Sequence, residues 1–137
     1  MHNDVVKRYI FVSTCLWLCI ADQMVVLYER TYHPGVVMRV LPELFKPVGT
    51  LWGGILAICL LVVALRLART PVTAWGIGLM FGGWLSNLLT LEHAGHYVDY
   101  LKVGSLYTNI ADLGITLGAA ILIMQILQAQ QIRLKKP

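Results

Sequence analysis

Apolar positions in this chain come in long unbroken runs, not in the stripes that give a soluble helix one wet face. Four runs stand out, at residues 9–27, 48–67, 72–91 and 110–127. A helix needs about 20 mainly apolar residues to cross a hydrocarbon core about 30 Å thick, and each run is close to that length. Pro71 precedes the third run, at a helix start where a missing N–H costs little. The pattern predicts an all-α integral membrane protein, a four-transmembrane-helix bundle forming a single membrane domain over residues 1–137. The first run reads as a span and not as a cleavable leader. It is too long for such a segment, carries Asp22-Gln23 inside it and lacks a small-x-small cleavage site.

Composition sharpens this picture. Of 137 residues, 58% are hydrophobic and only 13% are charged, about half the charge of a soluble domain. Disorder, a secreted disulfide scaffold and a nucleic-acid module are all excluded, so membrane lipids and not nucleic acid are the expected surroundings. The net charge of +4 then acts as a topology signal. With the N-terminus inside, the inner segments hold Lys7, Arg8, Arg66, Arg69, Arg133, Lys135 and Lys136, against Arg30, Arg39, Lys46 and Lys102 in the outer ones. Both termini are therefore expected to be cytoplasmic. The link at 68–71 is tight, whereas the outer connections at 28–47 and 92–109 are long enough to carry structure of their own. Gly49/Gly53, Gly78/Gly82 and Gly114/Gly118 are small-residue spacings suited to close packing within the bundle. Cys15, Cys19 and Cys59 fall inside spans, where cysteine behaves as a small hydrophobe.

With this orientation the polar residues share one depth. Asp22 comes within two turns of the outer end of the first span, and Asn87 about one turn below that of the third. Asn109 and Asp112 open the fourth span, and Asp99 lies in the loop before it. Each has a modest explanation alone. Asn109 suits an N-cap, Asp112 suits the positive end of a helix, Asp22 could be satisfied by a neighbouring helix, and Asp99 could be a plain loop charge. Their coincidence at one level points to function, because carboxylates in the hydrocarbon zone are costly. Two close carboxylates in a poorly solvated site cannot both ionise. Such a pair can activate water with one member while the other donates a proton to the carbonyl or leaving amine. Asp99 and Asp112 are the candidates. His93, His96 and Asp99 are spaced three apart, a weak zinc pattern, and every histidine lies outside the spans, which argues against haem. No metal or cofactor is expected.

Gly82-Gly83-Trp84-Leu85-Ser86-Asn87, Gly95-His96-Tyr97-Val98-Asp99-Tyr100 and Asn109-Ile110-Ala111-Asp112, with Asp22-Gln23 upstream, together resemble signal peptidase II, the lipoprotein signal peptidase family. The resemblance covers residues 75–124 and the first span. It implies a catalytic aspartate dyad at Asp99 and Asp112, site-organising asparagines at Asn87 and Asn109, and a supporting carboxylate at Asp22. It also implies an intramembrane aspartic endopeptidase at the outer face of the bacterial cytoplasmic membrane, cutting signal peptides from lipid-modified prolipoproteins or a related membrane peptide. Departures from the family pattern fall at Val26, at His33-Pro34-Gly35-Val36 and at Thr90-Leu91. They leave a second reading open, a proteolytically inactive scaffold or a subunit with a partner in a larger membrane complex.

Overall fold

The computed structural model describes residues 2–33, 37–39, 62 and 70–134. Three helices dominate: α1 (His2–Tyr32), α2 (Pro71–Ala94) and α3 (Ile110–Leu134). Stretches Asp4–Tyr32, Pro71–Ala94 and Ile110–Ile132 are each long and apolar enough to cross a membrane. Apart from Val62, the expected span at 48–67, with Gly49, Gly53 and Cys59, lies outside the described residues. All three helices overrun the apolar runs that predict them. Hydropathy registers where side chains turn polar, but the backbone ladder continues past that point. As a result Asp22 sits ten residues before the end of α1 and Asn87 seven before the end of α2. Both are about one turn deeper in their helices than the sequence pattern places them.

α2 lies between α1 and α3. On α1 the inward stripe is Phe11, Cys15, Cys19, Asp22 and Val26, spaced three and four apart as a single helical face requires. Cys15 and Cys19 are free thiols. Close approach depends on glycine. A Cβ on Gly82 would stand 2.6 Å from the Cys15 carbonyl oxygen, and one on Gly83 would collide with the Ala111 carbonyl. Gly78 meets Phe11 and Thr14, Gly114 meets Leu18, and Gly118 meets Gly76 and Met80. The small-residue spacings at 78/82 and 114/118 are thus spent on packing within one chain.

At its start α2 is closed by a capping box, with Thr73 N–H donating to the Thr70 hydroxyl at 3.1 Å and Thr70 N–H to the Thr73 hydroxyl at 3.0 Å. At its other end Gly95 adopts φ 73° and donates its N–H to the Leu91 carbonyl, the left-handed stop that favours glycine.

The helical architecture stands as expected, and the connections add a small amount of sheet to it. Among the described residues there are four three-residue strands: β1 (Val37–Arg39), β2 (Tyr97–Asp99), β3 (Leu101–Val103) and β4 (Leu106–Thr108). β1 pairs antiparallel with β2, setting Val37 opposite Asp99, and β3 pairs with β4. Asp99 therefore belongs to a paired strand and not to a free loop. Such strands are too short for alternation to reveal, and the first pair joins segments about 60 residues apart in the chain.

Candidate active site

The polar layer forms where the end of β2, the start of α3 and the polar stretches of α1 and α2 meet. The acids and asparagines expected to converge do so. Asp22, Asp99 and Asn109 are buried, at 0%, 1% and 2% exposure, while Asn87 and Asp112 are half-buried.

Asn109 is the N-cap of α3. Its Oδ1 accepts from the Asp112 N–H at 2.7 Å, three residues on, as an N-cap should. The capping explanation therefore holds for Asn109, yet it does not exhaust the residue. Its Nδ2 reaches the Asp99 Oδ1 at 3.2 Å, the Asn87 Oδ1 at 3.2 Å and the Val98 carbonyl at 3.4 Å. Asn87 Nδ2 in turn donates to Asp112 Oδ1 at 2.8 Å. Asp99 and Asp112 are thereby joined through two amide side chains. Asp112 spends its carboxylate on Asn87 and not on capping its own helix. Tyr97 flanks the pair, its phenol pushed above the ordinary range, first by burial and then by the nearby Asp112 charge.

A second cluster surrounds Asp22. Its Oδ2 accepts from the Ser86 hydroxyl at 2.7 Å, and its Oδ1 accepts from the Tyr100 hydroxyl at 2.6 Å and the Ala111 N–H at 3.0 Å. Gln23 Nε2 reaches the Ser86 and Thr90 hydroxyls, both at 2.8 Å, and the Ser86 carbonyl at 2.9 Å. The Thr90 hydroxyl in turn donates a hydrogen bond to the Ser86 carbonyl at 3.0 Å. One carboxylate from α1 thus ties together α2, α3 and the residue that follows β2.

Sequence reasoning missed Tyr100, Gln23 and Thr90 as members of this layer, and met Ser86 only within the Gly82–Asn87 motif. Ser86 and Thr90 carried a readable signal, two small hydroxyls one helical turn apart in an apolar helix. Tyr100 carried only its adjacency to Asp99. The weak zinc pattern does not assemble. His93 Nδ1 bonds the Leu89 carbonyl at 2.8 Å, and among the described residues no three His, Cys, Asp or Glu side chains gather closely enough to hold a metal ion. His96 Nε2 is buried without a hydrogen-bond partner among the described residues.

Comparisons with known proteins bear on this geometry. A Lipoprotein signal peptidase from Caulobacter vibrioides is 40% identical over 75 residues, which span 51% of this chain and 45% of that protein. The match thus covers less than half of the relative's length. Two solved bacterial membrane enzyme structures share the fold. One has a TM-score of 0.74 at 19% identity, over 85% of this chain and 92% of the other. The second has a TM-score of 0.76 at 17% identity, over 93% of each. Residues 4–128 match the family model described as Signal peptidase (SPase) II. That match covers well over half of the chain, which is a member of the signal peptidase II family.

Proposed function

We propose that the protein is an aspartic endopeptidase that cuts the signal peptides of lipid-modified prolipoproteins or a closely related membrane peptide, with Asp99 and Asp112 as its catalytic pair. The observation that carries this reading is the Asp99–Asn109–Asn87–Asp112 chain of hydrogen bonds. It holds two carboxyl groups from separate elements at one place in an apolar bundle, a costly arrangement unless used. The half-buried Asp112 is the more accessible of the two.

One carboxylate takes a proton from water as its oxygen attacks the scissile carbonyl carbon. The other, protonated, donates to the carbonyl oxygen. The tetrahedral intermediate then collapses: the first carboxyl gives its proton to the leaving amine as the C–N bond breaks, and a hydroxyl of the intermediate returns a proton to the second carboxylate. Asn87 and Asn109 fix the carboxyl orientations, and Asp22 holds the frame. The site end of the bundle, where α1 and α2 finish and α3 begins, would face the outside of a bacterial inner membrane. The lysine and arginine distribution supports that orientation, and a membrane-bound substrate would enter laterally between helices.

Cleavage of a lipidated prolipoprotein by the full chain in detergent tests this. Wild type should release the signal peptide, and Asp112→Asn should lose at least about 100-fold in rate while remaining folded. Equal, absent cleavage by both folded proteins would favour the scaffold reading, and a stoichiometric membrane partner on co-purification would strengthen it.

A further inference from the structure

Hydrolysis by two carboxyl groups leaves the half-buried Tyr100, which bonds both to the frame and to the start of α3, without a chemical task. The Tyr100 hydroxyl donates to Asp22 Oδ1 at 2.6 Å and accepts from the Ile110 N–H at 3.0 Å. We propose that Tyr100 is a positioning residue for the Asp99–Asp112 pair, its hydroxyl fastening the start of α3 to the end of β2. The inference rests on the peptidase reading of this site.

The placement follows from the chain. Asp99 is the last residue of β2 and Tyr100 follows it, while Ile110 is the first residue of α3 and Asp112 the third. One hydroxyl therefore bridges the segment carrying one acid to the helix carrying the other. Asp22 reinforces the bridge from α1, because the same Oδ1 accepts from both Tyr100 and the Ala111 N–H. A helix start leaves four N–H groups without intrahelical partners. Here three of them find acceptors, Ile110 in Tyr100, Ala111 in Asp22 and Asp112 in the Asn109 side chain, and the Leu113 N–H then makes the first bond of the helix itself, to the Asn109 carbonyl at 3.2 Å. Acceptors from three separate parts of the chain fix where this helix begins, and so where Asp112 stands.

Burial, and after it the hydrogen bond to the Asp22 carboxylate, hold the Tyr100 phenol well above the ordinary range, so it remains a donor in neutral solution. Its hydrogen bonds go to Asp22 and Ile110 and not to either member of the pair. It acts through the frame.

Tyr100→Phe in the full chain, assayed in detergent on a lipidated prolipoprotein, tests the proposal. We expect kcat to fall about 10- to 100-fold with KM within about twofold, because a small misplacement of reacting groups costs rate and not affinity. Amide exchange at Ile110 should quicken at least about tenfold. The double variant with Asp22→Asn should lose little more than the worse single variant, since the two act as one bridge. Wild-type kcat in folded Tyr100→Phe, or a raised KM with kcat intact, overturns the proposal. If Tyr100→Phe does not fold, Ile110→Pro removes the same bond from the helix side, at a first helical position where proline is tolerated. Wild-type kcat there overturns it equally. Should even wild type not cleave, the peptidase reading fails separately. Unchanged Ile110 exchange in Tyr100→Phe would then overturn the bridge itself.

Discussion

Asp22 and Asp112 are two acids in one polar layer, and they are treated in opposite ways. Asp22 is sealed, at 0% exposure, with both oxygens engaged by Ser86, Tyr100 and the Ala111 N–H. Asp112 is half-buried, and its Oδ1 accepts from Asn87 at the edge of the cluster. A carboxylate saturated by donors from three elements is suited to holding helices in place. One that keeps access to solvent is suited to exchanging protons with water. On the proposed peptidase reading the difference separates framework from chemistry within a few residues, because Ala111 N–H serves the first acid and its neighbour Asp112 is the second.

The largest stability effect should come from opening the sealed side. Asp22→Ala strands the Ser86 hydroxyl, the Tyr100 hydroxyl and the Ala111 N–H, each costing about 1–3 kcal/mol when buried and unmet. Thermal unfolding in detergent should show a loss of about 3 kcal/mol or more. A loss under about 1 kcal/mol would mean that the sealed acid frames nothing. Gly83→Ala attacks the same frame through packing. The added methyl meets the Ala111 carbonyl, next to the N–H that Asp22 accepts from, and should cost about 1–3 kcal/mol. An unchanged melting temperature would show that α2 and α3 can part freely at this level.

The smallest effect concerns pH. Tyr100 is held above its ordinary value of 10.0, chiefly by burial and then by its bond to Asp22. Below about pH 10 the phenol is protonated in folded and unfolded chains alike, and its contribution is complete. Above that, the unfolded chain gives up the proton first, so stability falls as pH rises. Melting of wild type should drop between pH 9 and about 11 by more than that of Tyr100→Phe. Identical alkaline losses would remove Tyr100 from the sealed cluster.

How much of this was written legibly in the sequence depends on range. The apolar runs at 9–27, 72–91 and 110–127 mark α1, α2 and α3, because a membrane span is a local compositional fact. Asn109 was recognisable as an N-cap for the same reason, its partner lying three residues away. The convergence of Asp22, Asn87, Asp99, Asn109 and Asp112 was readable from depth alone. What escaped was contact between distant segments. Nothing local marks Val37 as the strand partner of Asp99, or Tyr100 as the donor to an acid 78 residues earlier. The weak zinc pattern fails to gather among the described residues for a related reason. His93 is turned to its own helix at Leu89, while Asp99 is drawn to Asn109, so equal spacing along the chain did not become proximity.

The contrast between the acids is tested most directly by initial cleavage rates of a lipidated prolipoprotein, measured side by side for Asp99→Asn, Asp112→Asn and Asp22→Asn at equal folded concentrations. The account predicts that the first two fall at least about 100-fold with little change in melting temperature. Asp22→Asn should melt earlier yet retain measurable turnover. Substantial cleavage by either Asp99→Asn or Asp112→Asn, or a stable Asp22→Asn as inactive as both, would contradict it.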